Sequence, residues 1–372
     1  MENNDSTHAE EVSSNDDNFK TSTLPKIISF RNINNVVPVF SNSFHIEQIF
    51  REEDSSSDTI VQEHDPIEED LTINEQVTRT WANHIHYPMT DSHKIWRVAQ
   101  YYQVEQDGSD LAKEEYLEFL KRLILNMNEK KEGYEDFVSE HKKDAHIMSF
   151  SEIVRGLDYP HFPDGTPNPL DAMAEMPFPV YITTSYYDFL ERAIERVSEG
   201  SRKPRTQVIF WESGREYDDA IAAKHYPDPS FNPTPNEPAV YHLFGLEQYP
   251  GSLVLSEDDY LKFLVSVVSD TDTQRPIVPP RLRRALASSH LFLIGYYLQD
   301  WDFRVLFRFM LNYRQNELAK QGIYIQMKPK GNDRQLLNYL RRYFNMKKFD
   351  IEWTASEKFI QNLWGLWKAQ QP

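Results

Sequence analysis

Short, continuously apolar segments alternate with amphipathic segments along most of the chain. Runs rich in β-branched and aromatic residues predict strands, at Val36–Phe40, Val180–Thr184, Val208–Trp211, Ala239–Phe244, Ser252–Leu255, Leu291–Gly295, Ile323–Met327 and Phe349–Trp353. Apolar residues at helical spacing predict helices, at Phe44–Phe50, Tyr187–Val197, Asp258–Val268, Arg281–Ser289, Asp302–Leu311, Asn332–Phe344 and Ser356–Trp367. Because apolar strands that alternate with helices are typical of parallel sheets covered on both faces, we expect an α/β fold with a doubly wound, mostly parallel, Rossmann-like sheet.

Three segments depart from this alternation. Residues 71–150 have helical spacing with almost no strand signal, which predicts an inserted helical module. Residues 51–70 carry nine acids against Arg51, and residues 1–26 carry six acids against two lysines. Both acidic segments contain few apolar residues, so ordering them costs chain entropy without returning burial. We expect a disordered tail over 1–24 and an acidic loop over 54–70, within one α/β domain that spans 25–372.

The composition narrows the classes of function. The chain has 40 Lys+Arg against 58 Asp+Glu and a formal charge of −18, the wrong sign for direct nucleic-acid binding. The absence of cysteine excludes disulfides, thiolate metal sites and a cysteine nucleophile. No apolar window approaches the ~20 residues of a membrane-spanning helix, and the N-terminus does not resemble a secretory signal. We therefore expect a cytoplasmic protein that has no membrane partner.

In doubly wound sheets, ligands bind outside the carboxyl ends of the strands. The first strand-to-helix turn usually supplies glycines for phosphate binding, but the first glycine of this chain is Gly108. Ser41, Asn42 and Ser43 occupy that turn instead and offer hydrogen bonds to a phosphate at a helix N-terminus. The alternative interpretation is that Ser41 or Ser43 simply caps the helix.

Three further strand ends carry recognisable sequences, Thr183-Thr-Ser-Tyr-Tyr-Asp188, Tyr241-His-Leu-Phe-Gly245 and Gly295-Tyr-Tyr-Leu-Gln-Asp-Trp-Asp302. In order and spacing they resemble the bacterial sirtuin-like domains, a family of NAD-hydrolysing effectors of anti-phage defence. In that family one strand ends in Thr-Thr-Asn-Tyr-Asp, a later strand carries His-Gly, and a last strand ends in Gly-Tyr-Ser-Leu before an acidic, aromatic helix start. The resemblance covers about residues 178–311.

The resemblance implies that NAD is bound and that its nicotinamide–ribose bond is cleaved. His242 is then the base near the ribose, and Ser185 takes the place of the family's asparagine. Ser41–Ser43 replace the family's Gly-Ala-Gly phosphate loop. The remaining residues implied to bind NAD are Thr184, Asp188, Gly295 and Tyr296.

Both catalytic candidates also have a structural interpretation. Ser185 followed by Asp188 nearly matches a capping box, so Ser185 could cap the next helix. A lone histidine in a strand, such as His242, is often a hydrogen-bonded core residue. Ser185 also offers only a hydroxyl where an asparagine offers both an acceptor and an amide donor.

We expect a NAD-consuming effector that stays silent until a partner or an assembly activates it. The alternative is a catalytically degenerate nucleotide-binding or scaffold subunit of a defence complex. NAD is the expected substrate and no metal is expected, since the zinc module of sirtuin-like deacylases requires four cysteines. The expected protein partners are further copies of the chain, or an operon-encoded defence protein such as an ATPase or a sensor.

Overall fold

The computed structural model describes residues 28, 32–51, 71–162, 166–212, 223–270, 276–297, 300–314, 322–327, 342 and 349–371. The predicted tail over 1–24 and the acidic loop over 54–70 lie outside these residues. The predicted helix over Asn332–Phe344 also lies outside them, apart from Arg342, which is helical.

Seven parallel strands form a single sheet, in the spatial order β3-β4-β2-β1-β5-β6-β7. They are β1 (Val36–Phe40), β2 (Val180–Thr183), β3 (Arg205–Val208), β4 (Ala239–His242), β5 (His290–Ile294), β6 (Ile323–Met327) and β7 (Phe349–Trp353). The first strand, β1, lies in the middle of the sheet. Strands β2 to β4 form one side of it, and β5 to β7 form the other side. The order therefore reverses between β1 and β5, which is the topological switch point of a doubly wound sheet.

Helices cover both faces of this sheet. They are α1 (Asn42–Ile49), α2 (Ile73–His84), α3 (Ile95–Glu105), α4 (Ser109–Asn128), α5 (Glu135–His141), α6 (Phe150–Gly156), α7 (Pro169–Glu175), α8 (Phe189–Val197), α9 (Glu257–Val268), α10 (Pro280–Ser288), α11 (Trp301–Tyr313) and α12 (Ser356–Lys368). As the helical spacing predicts, residues 71–150 form helices, and α6 and α7 extend this helical stretch to the start of β2. Within the described residues, no helix combines the length and the apolar character needed to cross a membrane.

Alternating side chains of each strand enter two separate cores. Val37 and Val39 of β1 join the core formed with α9, α10, α11 and the inserted helices. Val36 and Phe40 join the other core, formed with α1, α7, α8 and α12. Because the side chains of a strand alternate between its two faces, these cores lie on opposite sides of the sheet. The doubly wound α/β fold is confirmed.

Two of the eight predicted strands are placed wrongly by the sequence pattern. The strand predicted over Val208–Trp211 lies at Arg205–Val208, because the edge strand is partly polar and its apolar run follows the paired residues. The strand predicted over Ser252–Leu255 is absent from the described residues and is replaced by a 3₁₀ turn at Pro250–Ser252 and a buried extended segment. The Ser252 hydroxyl donates to the Tyr249 carbonyl at 2.6 Å, which closes that turn.

A buried ion pair connects the inserted helices to the rest of the protein. Lys113 of α4 lies 3.1 Å from Asp259 of α9, and their side chains are 2% and 3% exposed. Asp259 also completes the capping box of α9, since the Ser256 side chain and backbone bond to it reciprocally. The ammonium group of Lys113 lies 5.5 Å from the centre of the Trp211 ring. Removing the lysine therefore leaves a buried carboxylate without its cation.

We predict that Lys113→Met lowers the free energy of unfolding by about 3–5 kcal/mol, the usual cost of an unpaired buried charge. The matched control is Lys142→Met, which breaks the exposed Lys142–Glu129 pair at 3.0 Å and costs about 0–1 kcal/mol. Urea unfolding of both variants measures the difference. Equal losses in the two variants contradict this account of how the inserted helices are held.

Candidate functional site

The strand ends at the switch point are tied together at the carbonyl of Phe40. This oxygen accepts hydrogen bonds from the Thr184 backbone N–H at 2.9 Å, the Tyr296 hydroxyl at 3.0 Å and the Thr183 hydroxyl at 3.3 Å. The donors come from the ends of β2 and β5, which flank β1 on either side. Of the predicted NAD-binding residues, Thr184 and Tyr296 thus hold three strands in register and are themselves buried.

Ser41 and Gly295 bring the ends of β1 and β5 into close contact. The Ser41 hydroxyl accepts from the Phe44 N–H at 3.0 Å and donates to the Gly295 carbonyl at 2.5 Å. Ser41 is therefore the N-cap of α1, which confirms the capping interpretation for this residue. Gly295 has φ +77°, and a Cβ there would lie 2.5 Å from the Cβ of Phe44. Only glycine fits at this position without displacing α1.

Asn42 and Ser43 begin α1 beside this contact. The Asn42 N–H donates to the Thr184 hydroxyl at 3.2 Å, which fixes the first turn of the helix against β2. The side-chain oxygen of Asn42 is buried and has no hydrogen-bond partner among the described residues. A buried polar atom without a partner is costly, so this oxygen is a candidate ligand contact. Both residues line the cavity described next.

A cavity of about 360 Å³, here called the edge cavity, opens at the carboxyl ends of the strands. One wall is formed by residues that come after the ends of β1, β2, β4 and β5. The other is formed by the inserted helices and the segment before α3. The lining residues that bear on its chemistry are Asn42, Ser43, Lys94, Trp96, Arg97, Tyr186, Phe244, Asp300, Trp301, Asp302 and Arg304. The position matches the rule that ligands of doubly wound sheets bind at the switch point.

A second cavity of about 300 Å³, here called the outer cavity, lies beside the ends of β5, β6 and β7. Gly295, Tyr296 and Tyr297 line it on one side, and Ser356 lines it on the other. Gln326 also lines it. The Gln326 amide oxygen accepts from the Gly295 N–H at 2.8 Å, and its amide nitrogen donates to the Thr354 carbonyl at 2.7 Å, so the side chain is held in place. The loop after β5 thus contributes to both cavities.

Asp302 is the acidic group with the most perturbed environment in the edge cavity. It lies in the first turn of α11 and is 9% exposed, and its Oδ1 accepts from the Phe303 N–H at 2.6 Å. Burial raises the pKa of Asp302 to about 7, and this hydrogen bond opposes the rise. A carboxyl group that titrates near neutral pH is suited to proton transfer. The sequence pattern by itself indicates only a helix start at Asp302.

His242 and Ser185 lie side by side but behind the cavity wall. Both are fully buried, and neither is among the described residues that line the edge cavity. The His242 ring bonds to the Ser185 carbonyl through Nδ1 at 3.0 Å and to Glu191 through Nε2 at 2.9 Å. Burial alone would lower the pKa of His242, but the charge and hydrogen bond of Glu191 raise it overall. The catalytic roles of both residues stay predictions.

Ser185 does not cap the following helix, so that expectation is wrong. Helix α8 begins at Phe189 with Asp188 in the N-cap position, and the Ser185 hydroxyl accepts from the Tyr187 N–H at 3.3 Å. The chain first turns so that the rings of Tyr186 and Tyr187 are buried, which delays the helix. Asp188 pairs with Arg192 at 2.8 Å and is not among the described residues lining either cavity.

Several residues of the edge cavity were not predicted from the sequence. Phe244 lines it two residues after His242, in the segment that follows β4. Tyr186 and Trp301 lie within the quoted motifs and Arg304 follows one of them, so membership of a motif was the available signal. Arg97 comes from the inserted helices, and no sequence signal linked it to the strand ends. Within the described residues, no group of three or more His, Asp or Glu side chains is placed to hold a metal ion.

Comparison with protein families matches residues 179–347 to the SIR2-like domain. The match starts at β2, so β1 and the helices α1 to α7 precede it. Over these residues the match confirms the resemblance to sirtuin-like domains that the strand-end sequences predicted. No curated protein matches the chain.

We predict that Gly295→Ala destabilises the protein more than Gly200→Ala does. Gly200 has φ +75°, and no atom of the described residues lies within 4 Å of the position that a Cβ would take, so it shares the backbone strain but not the clash with α1. The strain costs about 1–2 kcal/mol in either variant, and overpacking adds about 1–3 kcal/mol at Gly295 alone. Urea unfolding measures the loss of unfolding free energy in both variants. Similar losses would show that the contact between β5 and α1 accommodates the extra methyl group at little cost.

Proposed function

We propose that this protein, which carries a SIR2-like domain over residues 179–347, binds NAD across the carboxyl edge of its sheet and cleaves the nicotinamide–ribose bond. SIR2-like domains are commonly NAD-processing, and the match supports NAD-related activity for this chain. The observation that carries the proposal is a buried carboxyl group, Asp302, that lines the edge cavity and has a pKa of about 7.

The shape and chemistry of the two cavities favour a dinucleotide. NAD has two nucleosides joined by a pyrophosphate, and the segment after β5 lines the outer cavity with Gly295–Tyr297 and the edge cavity with Asp300. In the edge cavity, Trp96 and Trp301 offer aromatic surfaces for nicotinamide, and Arg97 and Arg304 offer positive charge for phosphates. The outer cavity then takes the adenosine end, beside Gly295 and Tyr296.

Asp302 is the base in the proposed hydrolysis of the nicotinamide–ribose bond. The bond between ribose C1′ and the pyridinium nitrogen breaks, and its electron pair neutralises that nitrogen to give nicotinamide. Positive charge develops on the ribose, which an ionised carboxylate nearby stabilises. Water then forms a bond to C1′ and gives up a proton to Asp302, and the second product is ADP-ribose.

His242 and Ser185 act in this scheme as positioning residues. The bond from the His242 ring to the Ser185 carbonyl fixes the turn that leads from β2 to the cavity wall at Tyr186. The assignment of His242 as the base is the competing version of the same proposal. It requires His242 to leave Glu191 and reach the ribose, because both ring nitrogens are engaged within the protein.

A catalytically degenerate nucleotide-binding subunit is the second candidate function. Two departures from the family favour it, since Ser185 stands where the family has asparagine and Ser41–Ser43 stand where it has a glycine-rich phosphate loop. The Ser185 hydroxyl lacks the amide donor and carbonyl acceptor of an asparagine side chain, which weakens the positioning of water. The proposed setting of either function is anti-phage defence with activation by a partner or by assembly, and its support is the sequence resemblance.

We predict that Asp302→Asn lowers nicotinamide release from NAD by about 10²-fold or more, the usual contribution of a general base. The wild-type rate should rise with pH through about 7, because Asp302 accepts a proton only when ionised. The matched control is Asp136→Asn, which removes an exposed carboxylate of α5 and should leave the rate unchanged. Chromatography of the reaction, with and without operon partners, measures the release.

The outcomes separate the candidates. If Asp302→Asn releases nicotinamide at the wild-type rate and His242→Ala does not, His242 and not Asp302 is the base. If the wild-type protein releases no nicotinamide with any partner but still binds NAD, the degenerate nucleotide-binding subunit is the better account. If it neither binds nor cleaves NAD, the proposed use of the carboxyl edge is wrong.

A further inference from the structure

A third cavity is lined by later residues of helix α1 than those that line the edge cavity. Its volume is about 360 Å³, and its walls come from α1, α6, α8 and the segment before α7. Three arginines line it, Arg155, Arg192 and Arg196, so we call it the arginine cavity. Among the described residues, none belongs to the linings of both the arginine cavity and the edge cavity. The two are therefore separate candidate sites.

A buried amide without a partner marks the arginine cavity as a binding site. Gln48 of α1 is 6% exposed and lines it, and its side-chain nitrogen has no hydrogen-bond partner among the described residues. A buried amide N–H that lacks an acceptor costs free energy, which a ligand oxygen would recover. His45 lies one turn earlier on the same helix face. Burial and the nearby His242 lower the pKa of His45 to about 3, so its ring is neutral at pH 7.

The charges of the cavity favour an anion. The three arginines face two lining aspartates, Asp158 and Asp171. Asp171 is already bonded to Arg196, and Arg192 pairs with Asp188 outside the lining at 2.8 Å. Arg155 lines the cavity and is exposed. Arginine binds phosphate oxygens through paired N–H groups, so these cations suit a phosphate group.

The remaining walls suit a flat ring system. Tyr159 and Phe189 present aromatic side chains, and Ile49, Val154 and Leu170 present apolar ones. Base–aromatic stacking is a general means of holding a nucleobase. We propose that the arginine cavity binds a nucleoside phosphate, with the base against the aromatic wall, the Gln48 amide donating to an oxygen of the ligand, and the phosphate on Arg155 and Arg192. This site is independent of the proposed NAD cleavage.

The test is calorimetric titration of the full-length protein with AMP. We expect saturable binding that Arg155→Ala weakens about tenfold or more, as the loss of a charged hydrogen bond implies. Gln48→Met, which keeps the side-chain volume and removes the amide, should weaken it as well. The control is Arg122→Ala, which removes an exposed arginine outside this cavity and should leave the affinity unchanged.

Arg155 is exposed, so its replacement tests the site even if Gln48→Met fails to fold. Absence of AMP binding, or binding that both variants leave unchanged, would overturn the proposal. Inorganic phosphate binding as tightly as AMP would overturn the role of the aromatic wall, because phosphate alone gains nothing from stacking. Binding of AMP that is weakened by Arg155→Ala and exceeds that of phosphate supports the site as described.

Discussion

The contact between the ends of β1 and β5 is the constraint on which the candidate site depends. Ser41 bridges α1 and the Gly295 carbonyl, and the Phe40 carbonyl gathers donors from β2 and from the segment after β5. A Cβ at position 295 would meet α1, so the close approach exists only with glycine there. Helix α1 is consequently held with its first residues at the edge cavity and its next turn at the arginine cavity.

This constraint explains which polar side chains are left for a ligand. The hydroxyls of Ser41, Thr184 and Tyr296 are used to join strand ends, and they are buried in doing so. Asn42 is different, because its backbone is bonded to β2 while its side-chain oxygen lacks a partner among the described residues. Asp302 lines the same cavity from the opposite side of the switch point. The chemistry therefore concentrates on residues that the strand-joining network does not use.

The strand ends could be predicted from the sequence because buried parallel strands are continuously apolar, as at Val36–Phe40 and Leu291–Gly295. The edge strand at Arg205–Val208 was misplaced because three of its four residues are polar, and Ser252–Leu255 was mistaken for a strand because it is buried without pairing. The motifs led to the correct edge of the sheet. They could not reveal that His242 points to Glu191, or that Arg97 joins the cavity, because both depend on contacts between distant segments.

The most direct test of the central claim is hydrogen–deuterium exchange of the full-length protein with and without NAD. If the carboxyl edge binds NAD, the backbone amides of residues 42–44, 295–297 and 300–304 should exchange more slowly with NAD present, since the ligand covers the start of α1 and the described residues that follow β5. Peptides of α10, which contributes no residue to the lining of the edge cavity or the outer cavity, should be unchanged. Protection confined to other parts of the chain, or no protection at saturating NAD, would contradict the account.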